Sequence, residues 1–200
     1  MLNFIIVTIL YFSFSWGLPW DLIPSTISFS YVFDLLFTLV VGFIYHLPWK
    51  FKFKVTKEFY KMLGEVVLLA CVTIGCLWYF DIEHPFRLVQ NLEWQLIILA
   101  PILEELVFRQ TLQRVFINGV GGKAYTTVIV AVIFAASHLV ALRVLPVEYV
   151  PFIGFQFFYT FILGLYAGSS LLRFHSVFVP VLIHFIFNLL FYLSLSFDLI

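Results

Sequence analysis

Charge is scarce in this sequence. Its 200 residues carry eleven acidic and eleven basic side chains, 11% in all, against roughly a quarter in a soluble domain. So little charge excludes a water-wetted globular domain, and a net charge of zero leaves nucleic acid an unexpected partner. Cysteine is scarce too. Cys71 and Cys76, five apart in one apolar run, suit neither a local disulfide nor a zinc knuckle and read as small packing residues. No Lys or Arg precedes the first apolar stretch, MLNFIIVTIL, and no small-residue cleavage pattern follows it, so it reads as a retained first span. HExxH, GxSxG and a pair of aspartates within the apolar runs are all missing, which removes the zincin, nucleophile-elbow and aspartyl-dyad routes to hydrolysis.

What fills the chain is apolar: 63% of residues are hydrophobic and 20% aromatic. The solvent for most of it is therefore lipid. Crossing the hydrocarbon takes about 20 apolar residues per helix. Runs near 2–20, 29–48, 61–80, 94–114, 124–143, 150–172 and 177–197 predict an all-α, polytopic transmembrane bundle of six to seven spans. They are too long, and apolar on too many faces, to alternate as barrel strands. No linker or repeat divides the chain, so 1–200 reads as one integral membrane domain. Pro19, Pro24, Pro48, Pro85 and Pro146 fall between spans or at their ends, whereas Pro101 and Pro180 fall inside and predict kinks. Lys50, Lys52, Lys54, Lys57 and Lys61 place the loop after the second span in the cytoplasm, which predicts a cytoplasmic N-terminus and a multi-pass protein of the cell membrane.

A charge at the centre of a bilayer costs at least about 2.5 kcal/mol, so each one asks for a reason. Asp34 and Glu65 lie about a turn from span ends, within reach of headgroups or water. Trp20, Trp49, Trp78 and Trp94 read as belt residues, and His46, His84 and His175 fall in or beside loops. The segment APILEELVFRQ differs, because Glu104, Glu105 and Arg109 stand well inside one span. Glu105 and Arg109, four apart, can pair along the helix. Glu104 is left one residue round, without a partner in its own helix. Two more spans carry ionisable or amide groups at helical spacing: Phe134 with His138, and His184 with Asn188.

Three such spans can converge on one wet pocket. Glu104, alone or with His138, is suited to holding and deprotonating a water, and His184 and Asn188 offer N–H donors for a developing oxyanion. One Glu and two His are also plausible zinc ligands, so a divalent metal at Glu104, His138 and His184 is the lesser alternative to a metal-free site without cofactor.

These motifs resemble those of the CPBP family, the CAAX proteases and bacteriocin-processing proteins. Its two glutamates followed after three residues by arginine match Glu104, Glu105 and Arg109. Its phenylalanine and histidine four apart match Phe134 and His138, and its histidine and asparagine four apart match His184 and Asn188. The likeness covers about 95–192, the expected catalytic core. It implies an intramembrane endopeptidase in which Glu104 and His138 activate water, His184 and Asn188 stabilise the oxyanion, and Glu105, Arg109 and Phe134 support them. The implied partners are the bilayer and a peptide or membrane-protein substrate, and the short N-terminal part points to a bacterial member engaged in bacteriocin processing or self-immunity. A non-catalytic immunity protein and a proton-coupled transporter are the rival readings. On these spans His138 lies nearer the outer face than Glu104 or His184.

Overall fold

The structure, a computed structural model, describes residues 1–17, 29–88, 94–120 and 123–197. Pro19, Trp20 and Pro24 lie outside these segments. Among the described residues there are helices and no strands. In chain order α1 is Leu2–Gly17, α2 Phe29–Ile44 and α3 Lys57–Tyr79. The fourth, α4, is wound in four parts: Gln95–Leu99, Ala100–Glu105, Leu106–Gln113 and Arg114–Val120, the first and third being π-helical. Then come α5 (Lys123–Ser137), prolonged by the 3₁₀ turns His138–Arg143, α6 (Val150–Phe174) and α7 (Phe178–Ser196).

Four of these, Lys57–Tyr79, 124–143, 147–174 and Phe178–Ser196, are long and apolar enough to cross a membrane; α1 and α2 are apolar but only 16 residues each. Local chemistry sets several ends. The Thr56 hydroxyl accepts from the Phe59 backbone N–H at 3.3 Å and Glu58 sits in the first turn, so α3 begins four residues before the apolar run does. His175, in the left-handed region at φ 53°, turns the chain out of α6 while its N–H still reaches the Leu171 carbonyl at 2.9 Å. Pro180 falls in the first turn of α7, where its missing N–H has no intrahelical partner to lose, so the kink predicted there has no cause. Pro101 stands at the junction where α4 changes from π to α winding.

The polar helix α4 is the centre of the bundle, packed against α1, α2, α5, α6 and α7. On its other flank α6 lies between α5 and α7, and α3 covers α6 and α7. Lipid offers no hydrophobic drive between helices, so close backbone approach matters most. The α5–α6 contact achieves it with glycine. A Cβ on Gly164 would come within 3.1 Å of Ala131, and one on Gly168 within 2.8 Å of Thr127.

Helices consecutive in the chain run in opposite directions, and three contacts tie the ends together. The Met1 backbone nitrogen lies beside Gly119, and Val177 N–H donates to the Lys50 carbonyl at 2.9 Å. At the opposite end the Arg143 guanidinium donates to the Trp16 carbonyl. The lysine loop, the α6–α7 turn and the end of α4 therefore share one end of the bundle, as the alternation read from sequence requires. The two thiols do not pack inside: Cys71 is exposed and Cys76 half-buried on α3.

Candidate active site

Glu104 and Glu105 point to different neighbours because they are a residue apart on α4. Glu105 is fully buried, with Oε2 paired to Arg109 Nε at 3.0 Å along the helix, as the four-residue spacing predicts. Its other oxygen, Oε1, lies 3.1 Å from His184 Nδ1 on α7. The Arg109 guanidinium, equally buried, stands over the Phe134 ring with Cζ 5.0 Å from the centroid. Its two Nη atoms find no acceptor among the described residues, so Glu105 and the ring face carry the stabilisation of that charge.

Glu104 is the open member. Its side chain as a whole is 27% accessible, while Oε2 is itself buried without a hydrogen-bond partner among the described residues, and His184 Nε2 is 3.9 Å away. A carboxylate on Glu105 makes His184 Nδ1 the donor of that bond, which leaves Nε2 turned towards Glu104. His138 Nδ1 is 3.0 Å from the Phe134 carbonyl, an acceptor only, so Nδ1 carries the proton and Nε2 has the free lone pair. Phe134 touches three of these groups, since it stacks edge-on with His138 at 5.0 Å and with His184 at 5.8 Å beneath the Arg109 cation. Asn188 donates one amide N–H to the Leu96 carbonyl at 2.8 Å and retains its second.

Glu104, His138, His184 and Asn188, carried by α4, the end of α5 and α7, line one cavity of about 250 Å³. His138 thus reaches the same space despite the depth difference counted from sequence. The π turns Gln95–Leu99 place more residues in each turn and lift Glu104 along α4 relative to an α-helical count. Glu105, Arg109 and Phe134 lie behind the wall. Among the described residues no three His, Cys, Asp or Glu side chains are grouped so as to hold a metal ion.

The cavity wall includes polar residues that the sequence reading passed over. Tyr31 comes from α2, Gln95 from α4, and Gln156, Tyr159 and Thr160 from α6. Gln156, the one amide in the apolar run VPFIGFQFFYTF, was open to detection on the same grounds, because an amide is also costly to bury in lipid. Asp34 does not reach headgroups or water as expected. It is 8% exposed and accepts from the Tyr11 hydroxyl at 3.1 Å, because α1 packs over that face of α2. Glu65 behaves as expected, half-exposed and 4.0 Å from Lys61.

Residues 92–190 match the family model described as Type II CAAX prenyl endopeptidase Rce1-like, a stretch that contains Glu104, Glu105, Arg109, His138, His184 and Asn188. No curated protein and no solved structure matches the chain. Several apolar helices around a buried polar centre, together with that match, make this a multi-pass membrane protein that belongs, through residues 92–190, to the Rce1-like family of type II CAAX prenyl endopeptidases.

Proposed function

We propose that the protein is an intramembrane endopeptidase in which Glu104 deprotonates a water held between it and His138 Nε2. The observation that carries this is the shared cavity of Glu104, His138, His184 and Asn188, with Glu104 the carboxylate that lines it. The water attacks the scissile carbonyl, and the proton taken by Glu104 passes to the leaving amine. The free N–H of Asn188 and a protonated Nε2 of His184 are the oxyanion donors. Two carboxylates against one guanidinium leave the cluster one charge short of neutrality, so a proton held between Glu104 and His184 Nε2 completes it. Glu105 and Arg109 are positioning residues that hold His184 by its other nitrogen.

The substrate is a peptide or a segment of a membrane protein, and bacteriocin processing or self-immunity is the biological setting. Residues 95–192 are the catalytic core of a single membrane domain in the cell membrane, with a cytoplasmic N-terminus. The test is cleavage by the purified protein in detergent of a panel of bacteriocin and lipopeptide precursors, wild type beside Glu104→Gln. Cleavage that the variant loses supports the reading. Cleavage that survives in the variant overturns Glu104 as the base, and bacteriocin protection surviving both Glu104→Gln and His138→Ala moves the assignment to immunity by binding alone.

A further inference from the structure

A second depression in the bundle shares no residue with the cavity of Glu104. It is a groove of about 890 Å³, floored by the C-terminal half of α6 and walled by the first turns of α3 and of α5, both of which pack on α6. All three segments lie at the lysine-loop end of the bundle. Ile162, Tyr166, Ser169 and Arg173 recur at helical spacing and form the stripe of α6 that faces the groove. The cavity of Glu104 draws instead on Gln156, Tyr159, Thr160 and Leu163, another face of the same helix.

Charge in the groove is balanced. Among the described residues its charged walls are Glu58, Lys61 and Glu65 from α3 and Arg173 from α6. Arg173 Nη1 meets Glu58 Oε2 at 2.8 Å, with both side chains more than half exposed. Lys61 Nζ stands 4.0 Å from Glu65 Oε1, the outer limit of an ion pair, and the lysine is 71% exposed. Exposed pairs of this kind hold little energy, so each can trade its partner for another ion of the same sign at small cost. Glu58 stands in the first turn of α3, straight after the lysine loop, at the level of headgroups. Glu65 is seven residues further on, about 10 Å deeper along the helix axis. Met62, Val128, Ile162, Leu165 and Leu172 make the rest of the lining largely apolar, and Val128 and Ile162 are exposed. The groove therefore starts among headgroups and continues into hydrocarbon.

We infer that this groove binds one phospholipid whose headgroup carries a phosphate and a primary ammonium, of the phosphatidylethanolamine type, with an acyl chain laid along α6. The phosphate meets Lys61 and Arg173, and the ammonium donates to Glu58 and Glu65. Two carboxylates and two cations sum to zero, so a zwitterion leaves the site neutral. An anionic headgroup would leave an unbalanced charge at the edge of the hydrocarbon. A quaternary choline has the same charge as an ammonium but no N–H to donate to the two carboxylates. The acyl chain covers Val128, Ile162 and Leu165, and the lipid as a whole joins α3 to α5 across α6.

The test uses the full chain purified in detergent and exposed to an equimolar mixture of dioleoyl phosphatidylethanolamine, phosphatidylcholine and phosphatidylglycerol, with bound lipid read by native mass spectrometry. The expected result is one retained lipid, several-fold enriched in phosphatidylethanolamine over either competitor. Glu65→Gln should abolish that enrichment. Val128→Trp, which fills the groove from an exposed position, should lower retention of all three lipids several-fold. Lys52→Ala, in the loop outside the groove, should change neither. Equal retention of the three lipids by the wild type, a preference for phosphatidylglycerol, or an enrichment unmoved by Glu65→Gln or Val128→Trp overturns the inference. Glu65 is half-exposed, so its variant keeps the test decisive even where Val128→Trp fails to fold. Lipid retention is read without any peptide, so its outcome does not depend on the peptidase reading.

Discussion

His184 Nδ1 lies 3.1 Å from Glu105 Oε1, and this contact between residues 79 apart in the chain brings α7 against α4 at the floor of the cavity. Because Glu105 is also held by Arg109, the imidazole is oriented by a buried ion pair and not by solvent. Its Nε2 is thereby directed to Glu104, 3.9 Å away. Much of what the site does follows from that one orientation.

Glu104→Gln removes the proposed base while keeping size and polarity. Peptide cleavage should fall by about 100-fold or more, the usual worth of a positioned general base, with unchanged expression and thermal melting in detergent. A loss of melting temperature in parallel with activity would show that Glu104 is needed for the fold instead.

Arg109→Leu and Glu105→Leu each leave a buried charge without its partner and should cost about 3–5 kcal/mol, read as a large drop in denaturation midpoint. The double variant removes both charges and should regain much of that stability without regaining activity, because His184 then lacks its acceptor. Full activity in the double variant would remove the positioning role.

Asn188→Ala deletes both the proposed oxyanion donor and the bond to the Leu96 carbonyl. The turnover number should fall about 100- to 1,000-fold with little change in KM, since an oxyanion forms only after substrate is bound. A rise in KM alone would make Asn188 a substrate contact.

Gly168→Ala sets a methyl 2.8 Å from Thr127 Cγ2 and 3.1 Å from Gln113 Oε1. Overpacking of this kind costs about 1–3 kcal/mol, so the thermal midpoint should fall. Gly154→Ala is the control, with nothing within 4 Å of the added methyl, and should leave it unchanged.

Glu105, Arg109 and the periodic placement of Phe134, His138, His184 and Asn188 were legible from sequence because a charge in an apolar run is conspicuous and helical spacing is short-range. The π turns of α4 were not, since a widened turn depends on neighbours that reward it and has no residue signature. Nor was the burial of Asp34, which lies a turn from the end of its helix and is covered only because α1 folds across it. Composition by itself determined that this is a helical membrane bundle, because a backbone in lipid must satisfy its own hydrogen bonds, and it determined which side chains were too costly to bury without purpose. Which of those side chains meet was decided only by the tertiary structure: the pairing of Glu105 with His184 and the placing of Glu104 in the cavity wall arise from contacts between helices distant in sequence, where packing geometry and not local preference sets the outcome.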